Sequence, residues 1–299
     1  MRALVDNTRM YWLHAITPLH VGAGRGVGFI DMPIMRERVT NWPLVPGSAI
    51  KGVMRDHFTN NDIDEKLIDV AFGKKVMDDS AIAGALVLTD AHIVCMPVRS
   101  LYGTFAYATS PIVLERLRRD LKATGLDNNL EAPSLEDTEV SVSSDDSKLV
   151  NGDRVFLEDL DFSATSDDNT KNWATFLAEM LFPGDNTWQD IFKERFAVLS
   201  DDCFTFLAET GTEVAARIRI DDETKTVADK ALWYEEALPA EAILAGLTWC
   251  DRVYKGYTQE RILEAFCPEK GLVLQIGGKA TIGRGRVRCL FNGGSENGQ

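Results

Sequence analysis

Apolar and polar positions change period repeatedly along this 299-residue chain, so the pattern predicts interleaved strands and helices without the regular repeat of a parallel barrel. Residues 10–19 (MYWLHAITPL) mix aromatic and β-branched side chains as a first strand does, and Pro18 stops it. Residues 48–58 set Ile50, Val53 and Met54 on one side of a helix, with Ser48 as the expected N-cap. Lys51 and Arg55, four apart, then share its polar side. Residues 84–98 read as a strand pair or one long strand, and a helix follows from Pro111 to about Lys122. Residues 155–162 alternate like an amphipathic strand, and 173–196 are helical with an interruption near Pro183-Gly184.

Two further stretches carry pattern and charge together. In 212–239, Val214, Ala216, Ile218 and Ile220 alternate with Ala215, Arg217 and Arg219, so the two arginines share a face. Asp221 to Thr224 supply turn chemistry, and Leu232-Trp233-Tyr234 return as strand, giving a hairpin over about 214–234. Residues 271–288 (GLVLQIGGKATIGRGRVR) join an apolar strand to a glycine-rich loop bearing Lys279, Arg284, Arg286 and Arg288. No acid interrupts those four charges, which suits clamping of an RNA backbone.

Composition narrows the class. With 45% hydrophobic and 26% charged residues the chain is an ordinary globular protein. It has no apolar run of about 18 residues and no signal-peptide apolar core, so a cytoplasmic protein with no membrane partner is expected. Its five cysteines form no CxxC pair and the four histidines do not cluster with them, which argues against a structural zinc site or a disulfide framework. A net charge of -14 opposes indiscriminate nucleic-acid binding. A local basic groove remains compatible, because exposed charges more than about 8–10 Å apart are screened at cellular salt. Residues 127–168 hold thirteen acidic side chains against Lys148 and Arg154. An acidic surface insertion over about 127–154, mobile in its early part, is the expectation there.

Against this acidity, residues 21–55 are locally positive. Arg25, Arg36, Arg38, Lys51 and Arg55 oppose only Asp31 and Glu37. His20 opens the stretch; Gly22, Gly24, Gly26 and Gly28 follow; a second loop, Pro46-Gly47-Ser48, launches the helix. Glycines let backbone N–H groups approach a ligand, and a helix start offers unpaired donors to an anion. A phosphate-bearing partner is the natural occupant, with His20 either facing it or packed.

These residues also resemble the RAMP superfamily. His20, the glycine run, Ile30 to Arg38 (IDMPIMRER) and Pro46 to Gly52 (PGSAIKG) are similar to the repeated backbone subunit of type III-B (Cmr) CRISPR effector complexes. The similarity extends through PVRSLYGTFAYATSPIVLERLRRDL and the C-terminal glycine loop. It implies a single α+β domain over 1–299, with a modified ferredoxin-like (RRM-like) antiparallel sheet, helical insertions and a projecting hairpin thumb. It implies guide RNA, target RNA, further copies of the chain and other Cmr subunits as partners. It also implies target-RNA cleavage, with Asp31 and His20 as catalytic candidates.

The RNA-binding candidates are Arg25, Arg36, Arg38, Ser48, Lys51, Arg55, Arg217, Arg219, Lys279, Arg284 and Arg286. The chain has no HExxH motif and no recognisable Ser–His–Asp or Cys–His pair. An ordinary carboxylate, with a pKa near 4, is a poor base at neutral pH. Asp31 is therefore expected either to hold a divalent metal, Mg²⁺ or Mn²⁺, or to align the RNA for attack by its own 2′-hydroxyl. A non-catalytic scaffold, and a stand-alone processing enzyme using His20, remain the alternatives; Glu235 and Glu236 are weaker candidates for assisting the site.

Overall fold

The structure is a computed structural model, which describes residues 7–24, 26, 28–61, 63–74, 82–126, 129–221, 223, 225–254 and 256–293. In chain order it runs β1 (Thr8–Ala15), β2 (Leu44–Val45), α1 (Gly47–Thr59), α2 (Glu65–Phe72), β3 (Gly73–Lys74), β4 (Ile82–Ala83), β5 (Leu86–Leu88), β6 (Ala91–Arg99) and β7 (Phe105–Thr109). Then come α3 (Pro111–Thr124), β8 (Glu139–Val142), β9 (Val150–Asn151), β10 (Arg154–Leu157), β11 (Leu160–Ser166), α4 (Asp168–Leu181), α5 (Asn186–Lys193), β12 (Phe196–Leu199) and α6 (Asp201–Thr210). The chain closes with β13 (Glu213–Ile220), β14 (Val227–Ala237), β15 (Ile243–Cys250), α7 (Gln259–Phe266), β16 (Leu272–Gln275) and β17 (Arg286–Asn292).

One sheet organises the molecule, in the order β16-β17-β1-β15-β6-β7-β12-β8-β11-β10-β9, with β2 on β6 and β5 on β15. Its pairings are antiparallel except β7–β12 and β8–β11. The mixed α/β, mostly antiparallel architecture expected from the sequence is the one that forms. Helices cover both faces, which is why β1 is buried at nearly every position instead of alternating. On β1, Tyr11, Leu13 and Ala15 join one core with α1, α2, α6 and α7. Met10 and Trp12 join the other, with α3, α4 and α5. On β6, Val94 and Cys95 both enter the second core, because the register with β15 slips between Ile243 and Leu244. A bulge of this kind kinks the strand and is invisible to a period-two reading.

Boundaries shift where distant groups intervene. The first strand ends at Ala15, and Pro18 lies in the loop beyond. Helix α1 begins at Gly47 with Pro46 as its N-cap, so the Ser48 cap is not formed. Instead the Gly47 N–H donates to the Asp90 carboxylate at 2.8 Å. That carboxylate takes one of the donors that the loop offers. From residue 129 on the acidic segment has a defined course: Val140, Val142 and Leu149 are fully buried, Leu130 and Leu135 half-buried, and β8 and β9 join the main sheet. Counting acids missed this, because what decides order is where the apolar residues fall. Residues 127 and 128 lie outside the described residues, as do 294–299. Arg99 pairs with Glu158, and Tyr107 is buried against Glu241.

Loop 36–42 is fixed by a carboxylate. Glu37 accepts from Arg116 at 3.0 and 2.7 Å and from Thr40 at 2.6 Å, and pairs with His92. Burial pushes its pKa up, but these donors and the Arg116 and His92 charges outweigh it and hold the pKa at about 2. A depressed folded-state pKa stabilises above the ordinary value of 4.5 and is lost as pH falls towards 2. Comparing Glu37→Gln with the parent by denaturant unfolding should show a gap that is full above pH 4.5 and closed near pH 2. A gap of constant size across that window would contradict the assignment.

Candidate nucleic-acid interface

Residues 213–237 form a separate two-stranded hairpin, β13–β14, whose root gathers the two glycine-rich loops. Backbone hydrogen bonds do the gathering. Leu19 and Leu238 exchange N–H···O bonds at 2.8 and 2.9 Å; Met32 N–H donates to Tyr234 at 3.0 Å; Glu236 N–H donates to Met32 at 3.0 Å. From the C-terminal loop, Gly278 N–H reaches the His20 carbonyl at 3.0 Å and Gly285 N–H reaches Pro18 at 2.9 Å. A Cβ on Gly277 would overlap the His20 carbonyl, and its φ of +77° is one that glycine adopts without strain. Sequence distance thus collapses to one place.

Side chains then sort by partner. His20 is nearly buried, and its Nδ1 lies 2.6 Å from the Glu236 carbonyl. A carbonyl only accepts, so Nδ1 carries the proton and Nε2 is the nitrogen left for chemistry. Gly22 lies beside that atom, where even a methyl group would stand 3.2 Å away. Asp31 is exposed, and its Oδ2 accepts from the Tyr234 N–H at 2.8 Å. Glu236 is buried and holds Arg36 at 2.6 Å, Thr212 at 2.9 Å and the Ile34 N–H at 2.9 Å. Glu235, also buried, accepts from Lys279 and Trp233, each at 2.7 Å, with Arg217 at 3.4 Å. Burial raises its pKa; Lys279, Trp233 and Arg217 prevail and keep it below the ordinary carboxylate range. Both glutamates are committed to cations at the hairpin root.

Four of the cations singled out in sequence converge here. Arg36, Arg217 and Lys279 ring the hairpin root through Glu235 and Glu236, and Arg284 lies 3.6 Å from Glu213. Arg38, Arg219 and Arg286 are exposed and make no ion pair among the described residues. Arg25 lies outside the described residues.

Ser48, Lys51 and Arg55 belong to a different place. Lys51 and Arg55 line a cleft with Lys74, Gly52, Gly73 and Gly84, a group sharing no residue with the hairpin root. Arg55 pairs with Asp69 at 3.1 Å and donates to the Gly73 carbonyl. Lys51 donates only to the Leu86 carbonyl, at 2.6 Å, and burial lowers its pKa. It is a half-buried ammonium with no carboxylate partner among the described residues. Exposed Ser48 stands one turn earlier on the same helix. Sequence reasoning passed over Lys74, which no periodicity marks.

Comparison with known proteins follows this geometry. The sequence signature of the RAMP superfamily matches residues 12–288. The CRISPR system Cmr endoribonuclease Cmr4 of Pyrococcus furiosus is 37% identical over 289 residues, covering 96% of each chain. The oligomeric Cmr4 structure from Pyrococcus furiosus superposes with a TM-score of 0.77 at 29% identity, over 97% of this chain and 99% of that one. A type III-B Cmr-beta structure bound to cognate target RNA gives 0.73 at 20% identity, over 96% and 98%, a likeness of fold. Among the described residues, no helix is long and apolar enough to cross a membrane.

Proposed function

Because the chain belongs to the RAMP superfamily, we propose that it is the repeated backbone subunit of a cytoplasmic type III-B (Cmr) CRISPR complex, holding guide RNA and cutting complementary target RNA at regular intervals. The observation that carries this reading is the hairpin root, where Asp31 and His20 meet the cations of two glycine-rich loops. The likeness to an oligomeric Cmr4 supports stacking with further copies, and other Cmr subunits complete the proposed assembly.

The two basic places divide the work. The Lys51 cleft holds guide phosphates, because a half-buried ammonium without a carboxylate gains a charge-assisted partner only from an anion. Arg38, Arg219, Arg284 and Arg286 hold backbone along the groove, and base pairing reads the sequence. The hairpin crosses the guide–target duplex and opens it locally beside Asp31. There the 2′-oxygen attacks the adjacent phosphorus while the P–O5′ bond breaks, giving a cyclic phosphate and a 5′-hydroxyl. Asp31 orients the strand, and Lys279, close by on Glu235, opposes charge growing on the phosphate.

A divalent ion belongs to this proposal as well. Asp31 Oδ1 accepts no hydrogen bond from the described residues and is the protein oxygen available to a metal. Among the described residues, no three His, Cys, Asp or Glu side chains are placed to hold an ion. One carboxylate still suits Mg²⁺, which keeps several waters and takes its other ligands from substrate phosphates. When bound, the ion neutralises developing phosphate charge.

The reading is tested on assemblies purified from cells that express a guide. Lys51→Ala should lower guide retention for every guide sequence alike, and the salt slope of binding should fall by about one phosphate contact. Losses that depend on guide sequence, or an unchanged slope, would contradict the phosphate assignment.

A further inference from the structure

We infer that Phe29, braced by Tyr234, is a stacking platform for the unstacked nucleobase beside the scissile phosphate of the target RNA, an inference that rests on the RNA-cleaving reading above. Phe29 is 73% exposed, the most exposed aromatic side chain among the described residues. It sits two residues before Asp31, lifted into solvent by Gly28, whose φ is +64°. Its ring meets Tyr234 edge to face, with centroids 6.4 Å apart. The Tyr234 N–H is the group that donates to Asp31. Ring and carboxylate are therefore held by the same residue, and their separation is set by the hairpin root instead of by a loose loop.

The register of the hairpin extends this surface. Ala216 faces Tyr234 and Ile218 faces Leu232, so these side chains share one side of β13–β14. Ile218 and Leu232 are exposed by 51% and 57%. Arg217, Trp233 and Glu235 lie on the opposite side with Lys279. An apolar strip thus leads away from Asp31 on one side, with the ion-paired cluster on the other. A contiguous exposed apolar strip marks a binding surface, whereas scattered exposed residues do not.

The chemistry demands such a surface. A stacked A-form strand does not bring the 2′-oxygen into line with the leaving 5′-oxygen, so the attacking nucleotide must leave the stack. Its base then needs another π-face, and aromatic side chains supply one with little regard to base identity. Phe29 positions the nucleotide; it takes no proton and holds no metal.

The test uses guide-loaded complex in single turnover, on targets that are intact or carry an abasic residue on either side of the cut. Phe29→Ala should slow cleavage about ten- to a hundredfold while target affinity, set mainly by guide pairing, changes less than about twofold. Phe29→Trp should cut like the parent. An abasic residue at the stacked position should slow the parent to the rate of Phe29→Ala and slow that variant no further. Equal losses by Phe29→Ala on intact and abasic targets, with a changed number of copies per complex, would mean that Phe29 packs against a neighbouring copy, and the inference fails. Undiminished cleavage by Phe29→Ala overturns it too. An Asp31→Asn control separates the two claims: an inactive control beside a fully active Phe29→Ala removes the platform alone, whereas a fully active control removes the cleavage reading.

Discussion

Asp31→Asn should leave the subunit folded, assembled and able to bind target RNA, while cleavage falls by about 10²- to 10⁴-fold, the usual scale for losing a group that acts in the transition state. The substitution is nearly isosteric. An asparagine oxygen still accepts the Tyr234 N–H that Asp31 accepts at 2.8 Å, so the hairpin root keeps its geometry. What disappears is a negative charge at an exposed position, and with it the ability to hold a cation or to orient a hydroxyl. Added Mg²⁺ or Mn²⁺ should not restore cutting. His20→Asn is the companion. It keeps a donor where Nδ1 reaches the Glu236 carbonyl and removes Nε2, the nitrogen free to take a proton. If Asp31 works by alignment and metal binding, His20→Asn costs much less than Asp31→Asn; if Nε2 is the base, it costs as much. Full cutting by Asp31→Asn would leave only a scaffold role.

The elements legible in sequence were those set by near neighbours. The apolar face Ile50, Val53 and Met54 announces α1; Ile50 and Met54 are buried and Val53 packs half-buried against the same core. Gly184, at φ +75°, ends the pattern between α4 and α5 where Pro183-Gly184 predicted a break. What stayed hidden was partner choice across the fold. Ser48 has the right identity for an N-cap, yet Asp90, 43 positions from Gly47, supplies the carboxylate. Arg36 looks like an RNA ligand in its local basic context, yet Glu236, 200 positions away, takes its charge. Local positive charge showed where cations cluster; it did not show which of them the protein neutralises itself. Lys51 is the informative buried case, because among the described residues it is a half-buried ammonium whose partner is a carbonyl.

Glu236 should therefore prove the costliest side chain at the hairpin root to remove. Its carboxylate is 3% exposed and receives Arg36, Thr212 and the Ile34 N–H, while its backbone carbonyl receives His20 and its N–H bonds Met32. Glu236→Ala takes the counter-charge from the Arg36 guanidinium, itself only 15% exposed, leaving it the Asn41 and Ala208 carbonyls, and deprives two neutral donors of their acceptor. Removing one member of a buried pair typically destabilises by about 3–5 kcal/mol, because the charge left behind loses its counter-charge. Glu236→Gln retains an acceptor for two of the donors and should lose less. Arg36→Met with Glu236→Gln removes both charges together and should recover part of the loss, as replaced buried pairs often do. Urea unfolding of the isolated subunit measures all three variants. A Glu236→Ala loss within about 0.5 kcal/mol, the range of ordinary surface changes, would show that Arg36 finds water or another acceptor. The root of the hairpin would then be looser than its hydrogen bonds imply, and the placement of Asp31 beside Tyr234 would need another support.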